Sequence, residues 1–140
     1  MLQRIQTVFL ILSIIISILL LYLPVYQIQG GIPEAPTLYK ISSNSFLNIL
    51  NGGIGVLTFL AIFLFRKRNV QLRLCNVLLL LCCGLVGLLF FVADTFTGNN
   101  QEIHYLYGSY LPIIQIVFIF LATLFIRRDE ALVRSADRLR

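Results

Sequence analysis

The sequence predicts an all-α fold built inside a membrane: one domain over residues 1–140, in which four transmembrane helices form a bundle with both ends cytoplasmic. Three observations predict it. The chain is 59% hydrophobic over 140 residues, with a mean hydropathy of +0.91. A soluble domain of this size cannot bury that much apolar side chain, so lipid has to be the solvent for most of it. The apolar residues fall into four long runs separated by polar or glycine- and proline-bearing turns. Finally, the charges are asymmetric: of 11 Lys and Arg residues, all but Lys40 fall on one side of the resulting topology, as the retention of basic loops in the cytoplasm requires.

The first span covers residues 5–23, a run without charge that follows Arg4 and is long enough at ~1.5 Å per residue to cross ~30 Å of hydrocarbon. It exceeds the apolar core of a signal peptide, and Leu23-Pro24-Val25-Tyr26 offers no small-residue cleavage site, so an uncleaved span is expected. Residues 24–46 form an outer loop, broken by Gly30, Gly31, Pro33 and Pro36. Within it, Val25 to Gln29 and Leu38 to Ile41 suit short extended segments lying over the bundle.

The second span, 47–65, begins with Asn48, Asn51, Gly52, Gly53 and Gly55. A basic cytoplasmic hinge follows at 66–73, carrying Arg66, Lys67, Arg68 and Arg73, and it anchors the whole topology. The third span runs over 74–92, and turn-forming residues from Asp94 to Asn100 open a second outer loop at 93–107. The fourth span, 108–126, carries Pro112 in its first turn, where the missing N–H costs no helix bond. It stops at Arg127-Arg128, ahead of a cytoplasmic tail over 127–140. All six tyrosines fall at or beyond the outer ends of these spans, where amphipathic rings favour headgroups.

No catalytic constellation stands out, and the chain reads as a non-enzyme without cofactor or metal. Cys75, Cys82 and Cys83 all lie in one span, and adjacent cysteines on a helix point ~100° apart. They form no C-x-x-C pair and read as packing residues. His104, with Glu102 beside it and Asp94 upstream, matches no metal-ligand spacing and reads as a loop histidine. No ionisable residue lies deep in a span, which argues against ion-coupled transport. A net charge of +5 clusters beside the spans rather than on a separate face, so nucleic acid is not an expected partner.

Small residues at packing spacing (Ser13 and Ser17; Gly52 and Gly55; Cys83, Gly84 and Gly87) predict close helix contacts within the bundle. Gln115 and Asn76 are the amides expected at membrane depth. In the tail, Leu132, Ala136 and Leu139 share one helical stripe and Glu130 pairs with Arg134 at i,i+4. Two alternatives stand for that tail: a plain extension of the fourth helix, or a docking helix for a partner.

The opening Met1-Leu2-Gln3-Arg4-Ile5-Gln6-Thr7-Val8 and the closing stretch from Arg128 to Arg140 resemble an uncharacterised family of small four-span inner-membrane proteins of Bacteroidetes-type bacteria. The resemblance implies a multi-pass place in the bacterial inner (cytoplasmic) membrane and carries no activity. The function expected is that of an interaction or assembly protein. It would sit in the lipid bilayer, engage a cytoplasmic or membrane protein or a second copy of itself, and use Glu130, Leu132, Arg134, Ala136 and Leu139 of the tail together with its helix faces. The alternative is a binder or carrier of a small apolar ligand, a lipid or quinone, in an outward-opening cavity near Asn48, Asn51, Asp94 and Gln115. Arg4, Arg66, Lys67, Arg68, Arg73, Arg127 and Arg128 are the topology anchors.

Overall fold

Buried side chains recur on the long helices in alternating steps of three and four residues, and that spacing makes the bundle. The computed structural model of the protein describes residues 3–29, 37–64, 67–97 and 102–138. Helix α1 spans Gln3–Tyr22, α2 Ser45–Phe63, α3 Arg68–Thr97 and α4 Leu111–Arg138. On α2 the buried set is Leu47, Asn51, Ile54, Thr58 and Ala61, and on α3 Cys75, Leu78, Cys82, Leu85 and Leu89 continue the same rhythm. A stripe of that period faces the neighbour along the whole length of a helix, as in antiparallel bundles. Each helix packs against the next in sequence, and α4 closes the ring against α1. Phe9 of α1 stacks on Phe125 of α4, with ring centroids 5.5 Å apart.

The outward faces are mainly apolar, with Val8, Ile11, Leu80, Phe91, Ile113 and Phe120 among the exposed side chains; Asn76, an amide expected at membrane depth, is exposed among them on α3. Polar residues (Ser13, Ser17, Asn51, Thr58, Gln71, Gln115 and Thr123) are instead buried between helices. This is the pattern of a protein whose solvent is hydrocarbon: polar groups gain nothing outside and find partners inside. Each helix contains a stretch long and apolar enough to cross a membrane: Ile5–Tyr22, Ser45–Phe63, Asn69–Thr95 and, with the turn before α4, Tyr107–Leu132.

The structure corrects the all-α expectation. Strands β1 (Pro24–Gln29), β2 (Thr37–Lys40) and β3 (Glu102–Tyr105) form an antiparallel sheet in the order β2-β1-β3. The outer loops 24–46 and 93–107 are therefore partly sheet, and they pair with each other. Val25 to Gln29 and Leu38 to Ile41 suited extended segments from their sequence, and β1 and β2 largely coincide with them. The third strand lies where the sequence predicts only an outer loop, although Glu102-Ile103-His104-Tyr105 alternates polar and apolar residues as a half-buried strand does. On β1, Tyr26 and Ile28 face inward and are buried, opposite Tyr105 and Ile103 of β3. A bulge at Val25 shifts the pairing with β2; there the Val25 carbonyl turns aside to accept the Leu106 N–H at 2.9 Å and the Ser109 hydroxyl. Pro24, which has no N–H to give, stands at the first position of the central strand, where that is tolerated.

Three boundaries also differ. Most of the expected hinge, from Arg68 to Arg73, is the first part of α3, because Gln71 belongs to the buried stripe and donates to the Ala61 carbonyl at 3.0 Å. The far end of α3 runs through Asp94 to Thr97; Ala93 is buried, and Thr95 Oγ1 bonds back to Phe91 O instead of making a turn. Residues 107–110 are a 3-10 turn, so α4 starts at Leu111 with Pro112 in its first turn. Asn44 caps α2, its Oδ1 accepting from Phe46 N at 3.0 Å.

Candidate functional site

The polar residues between the helices converge on Ser17. Five positions before the end of α1, its hydroxyl accepts a hydrogen bond from Gln115 Nε2 at 2.7 Å. The Ser17 carbonyl accepts from Asn51 Nδ2 at 2.9 Å, and Gln115 Nε2 also reaches the Ser13 carbonyl at 3.3 Å. Three helices are tied together by two amides and one serine. Gln115 and Asn51 are fully buried, yet Gln115 Oε1, Asn51 Oδ1 and Ser13 Oγ have no hydrogen-bond partner. Buried acceptors without donors are costly and uncommon.

Beside this knot a groove of about 220 Å³ runs along the α1/α2 seam, open to the outside of the bundle. Ser17, Asn51, Gly52 and Gly55 line one part of it, and the side chains of Ile14, Ile18, Leu21 and Val56 line the rest. A Cβ on Gly55 would sit 3.6 Å from Ser17 Cβ, an ordinary van der Waals contact, while a Cβ on Gly52 would meet nothing within 4 Å.

The four residues proposed to share one outward cavity are thus divided. Asn51 lines the groove and Gln115 lies behind it against Ser17. Asn48 is half-buried one turn from Asn51, and Asp94 is exposed on α3. The groove opens sideways along the helices rather than from the end.

At the sheet end, Tyr26 is the residue that sequence reasoning passed over. It is buried to 1% exposure and donates its hydroxyl to the Leu89 carbonyl of α3 at 2.7 Å. Tyr39 stacks on its ring at 5.4 Å, and Tyr105 meets it edge-on at 6.0 Å. Burial pushes the Tyr26 phenol well above its ordinary range, and the phenols of Tyr39 and Tyr105 add to the rise. So the six tyrosines divide: Tyr22, Tyr107 and Tyr110 are exposed, Tyr26 is buried with Tyr39 stacked on it, and Tyr105, though 48% exposed, packs its ring against Tyr26 and Phe90. The period-two run Tyr26-Gln27-Ile28 was the available signal.

The topology anchors gather at the end opposite the sheet. Arg4 lies in the first turns of α1, Lys67 precedes α3, Arg68 and Arg73 are in its opening turns, and Arg127 and Arg128 follow the apolar part of α4. Arg66 lies outside the described residues. In the tail, α4 continues unbroken to Arg138. Glu130 is half-buried and Leu132 is 56% exposed; Arg134 and Ala136 are in the helix, and Leu139 lies outside the described residues.

Among the described residues, no three His, Cys, Asp or Glu side chains group so as to hold a metal ion. His104 is exposed on edge strand β3, opposite Gln27. Cys75 and Cys82 are buried packing residues, but Cys83 is exposed.

The small residues expected inside are partly outside. A Cβ on Gly52, Gly53, Gly84 or Gly87 would meet no atom within 4 Å, so on α3 the Cys83, Gly84 and Gly87 positions face outward rather than toward α2 or α4. The reason is the stripe itself: Cys82 and Leu85 occupy the inward positions, and their neighbours at one or two residues' remove are turned away.

Fold and site together define a small helical protein with four membrane-length helices, a buried amide knot and a sheet cap at one end. The chain belongs to the family described as Domain of unknown function (DUF4293), whose model matches residues 2–139. Neither a curated protein nor a solved structure matches it significantly.

Proposed function

We propose that this protein is a non-catalytic assembly subunit of a bacterial inner membrane, with both termini cytoplasmic and a second membrane protein, or a second copy, packed against its helix faces. One observation carries the reading: Gly84 and Gly87, with Cys83 beside them, lie uncovered on the outer face of α3. In lipid, helices associate by close backbone approach and van der Waals packing, and small outward residues are what permit that approach. Lipid alone gives no reason to leave such a face without side chains among leucines and phenylalanines. Support comes from α4, which at ~1.5 Å per residue carries its last turns well past a ~30 Å hydrocarbon core. Its charged extension from Arg127 to Arg138 is then available to a cytoplasmic partner.

The test is photo-crosslinking in native membranes, with the photo-reactive residue placed at Gly87 in one variant and at Leu132 in another. A reproducible protein adduct at Gly87 is expected, abolished by Gly84→Leu, which has room to fold unchanged. Lipid adducts alone at both positions, together with purification as a free monomer in mild detergent, would sink the proposal.

A further inference from the structure

The groove between α1 and α2 combines three properties that neither helix packing nor the assembly reading accounts for. Asn51, fully buried, lines it, and its Oδ1 has no donor. Ser17 also lines it; its oxygen already accepts from Gln115, so its own proton is what it has left to give. Just beneath the groove's wall, at 0% and 5% exposure, lie an acceptor that lacks a donor, on Asn51, and a hydroxyl with a proton to donate, on Ser17. Around them the walls are aliphatic, and Gly52 leaves the mouth clear, with nothing within 4 Å of where its Cβ would be.

We infer that this groove binds an uncharged apolar molecule ending in a hydroxyl, entering sideways from the bilayer, its O–H donating to Asn51 Oδ1 and its oxygen accepting from Ser17 Oγ. A hydroxyl is the smallest group that does both at once. Depth decides against a charged headgroup. Ser17 and Asn51 stand roughly 8 Å and 9 Å from the sheet-side ends of their helices at ~1.5 Å per residue. That is inside the hydrocarbon of one leaflet, where an ionised group is strongly disfavoured. An ether or a hydrocarbon would fill the volume of about 220 Å³ but would leave the amide oxygen as it is. The occupant is therefore a long-chain alcohol or a lipid with one free hydroxyl, such as a diacylglycerol.

The inference is independent of the assembly reading, which rests on the face of α3. Its test uses the full chain in phosphatidylcholine nanodiscs with two probes, a long-chain alcohol carrying a diazirine in its chain and the methyl ether of the same molecule. Irradiation and peptide mapping should place the alcohol on the Ile14–Leu21 and Asn51–Val56 segments. Labelling there by the ether should be about tenfold weaker, the effect of one hydrogen bond in a low-dielectric site. Asn51→Leu should lower labelling by the alcohol by about the same factor, and Gly52→Leu should block both probes by filling the groove. Equal labelling by alcohol and ether overturns the inference, as does Asn51→Leu without effect, or labelling of these segments no greater than of other lipid-facing segments. The two-probe comparison on the unaltered chain decides the matter even where a variant does not fold.

Discussion

Replacing Gly108 by alanine adds a single carbon at the one place where the sheet and the turn before α4 touch backbone to backbone. That Cβ would overlap the Pro24 carbonyl oxygen and lie 2.9 Å from its carbonyl carbon and 3.2 Å from Val25 Cα. None of these is a side chain that can swing away. The turn over Tyr107–Tyr110 must therefore back off from β1, and the two hydrogen bonds that dock it there, from Leu106 N and Ser109 Oγ to the Val25 carbonyl, lengthen or break. At about 0.5–1.5 kcal/mol each they account for ~1–3 kcal/mol, and the strain of overpacking, itself typically ~1–3 kcal/mol, comes on top. A loss of about 2–6 kcal/mol is expected. Thermal or denaturant unfolding in a mild detergent measures it, and hydrogen exchange at the Leu106 amide localises it, with faster exchange expected there. The same substitution at Gly52, mid-helix with nothing within 4 Å, should be neutral or stabilising by up to ~1 kcal/mol. Gly108→Ala with unchanged stability and unchanged Leu106 protection would refute the close-approach argument.

Tyr26→Phe removes the hydrogen bond to Leu89 O and should cost ~1 kcal/mol near neutral pH. Because the folded chain holds the Tyr26 phenol above its ordinary value of 10.0, its contribution is complete below about pH 10 and falls away as pH rises further; alkaline unfolding should be shallower in Tyr26→Phe than in the unaltered chain, and identical alkaline profiles would contradict the burial assigned to this ring. Gln115→Leu removes both donors to α1 together with an unpartnered acceptor, so denaturant titration should find a loss near ~0.6 kcal/mol rather than several; a loss above ~3 kcal/mol would mean that Gln115 Oε1 has a partner. An apolar organomercurial added in detergent should modify Cys83 well before Cys75 and Cys82, as peptide mass mapping will show, and equal rates would place Cys83 inside the bundle.

Four helices of membrane length are written in the apolar runs, because the need to satisfy every backbone group inside lipid leaves a long uncharged stretch no other regular form. The gathering of Arg4, Lys67, Arg73, Arg127 and Arg128 at one end follows from the same runs, since antiparallel neighbours must alternate. What the sequence left open was decided by contacts between distant segments. The partner of Glu102-Ile103-His104-Tyr105 lies more than seventy positions away in Tyr26 and Ile28, and four alternating residues carry too little signal to announce a strand without that partner. Where the polar side chains meet is likewise a property of the packed bundle: Ser17, Asn51 and Gln115 belong to three helices, and only the rotation of each helix about its axis brings them together. That rotation also turned Gly52, Gly84 and Gly87 outward. In a chain whose helices are apolar all round, hydropathy shows that a residue is in the membrane but not which way it faces, and tertiary packing alone set the inner stripe against the outer face.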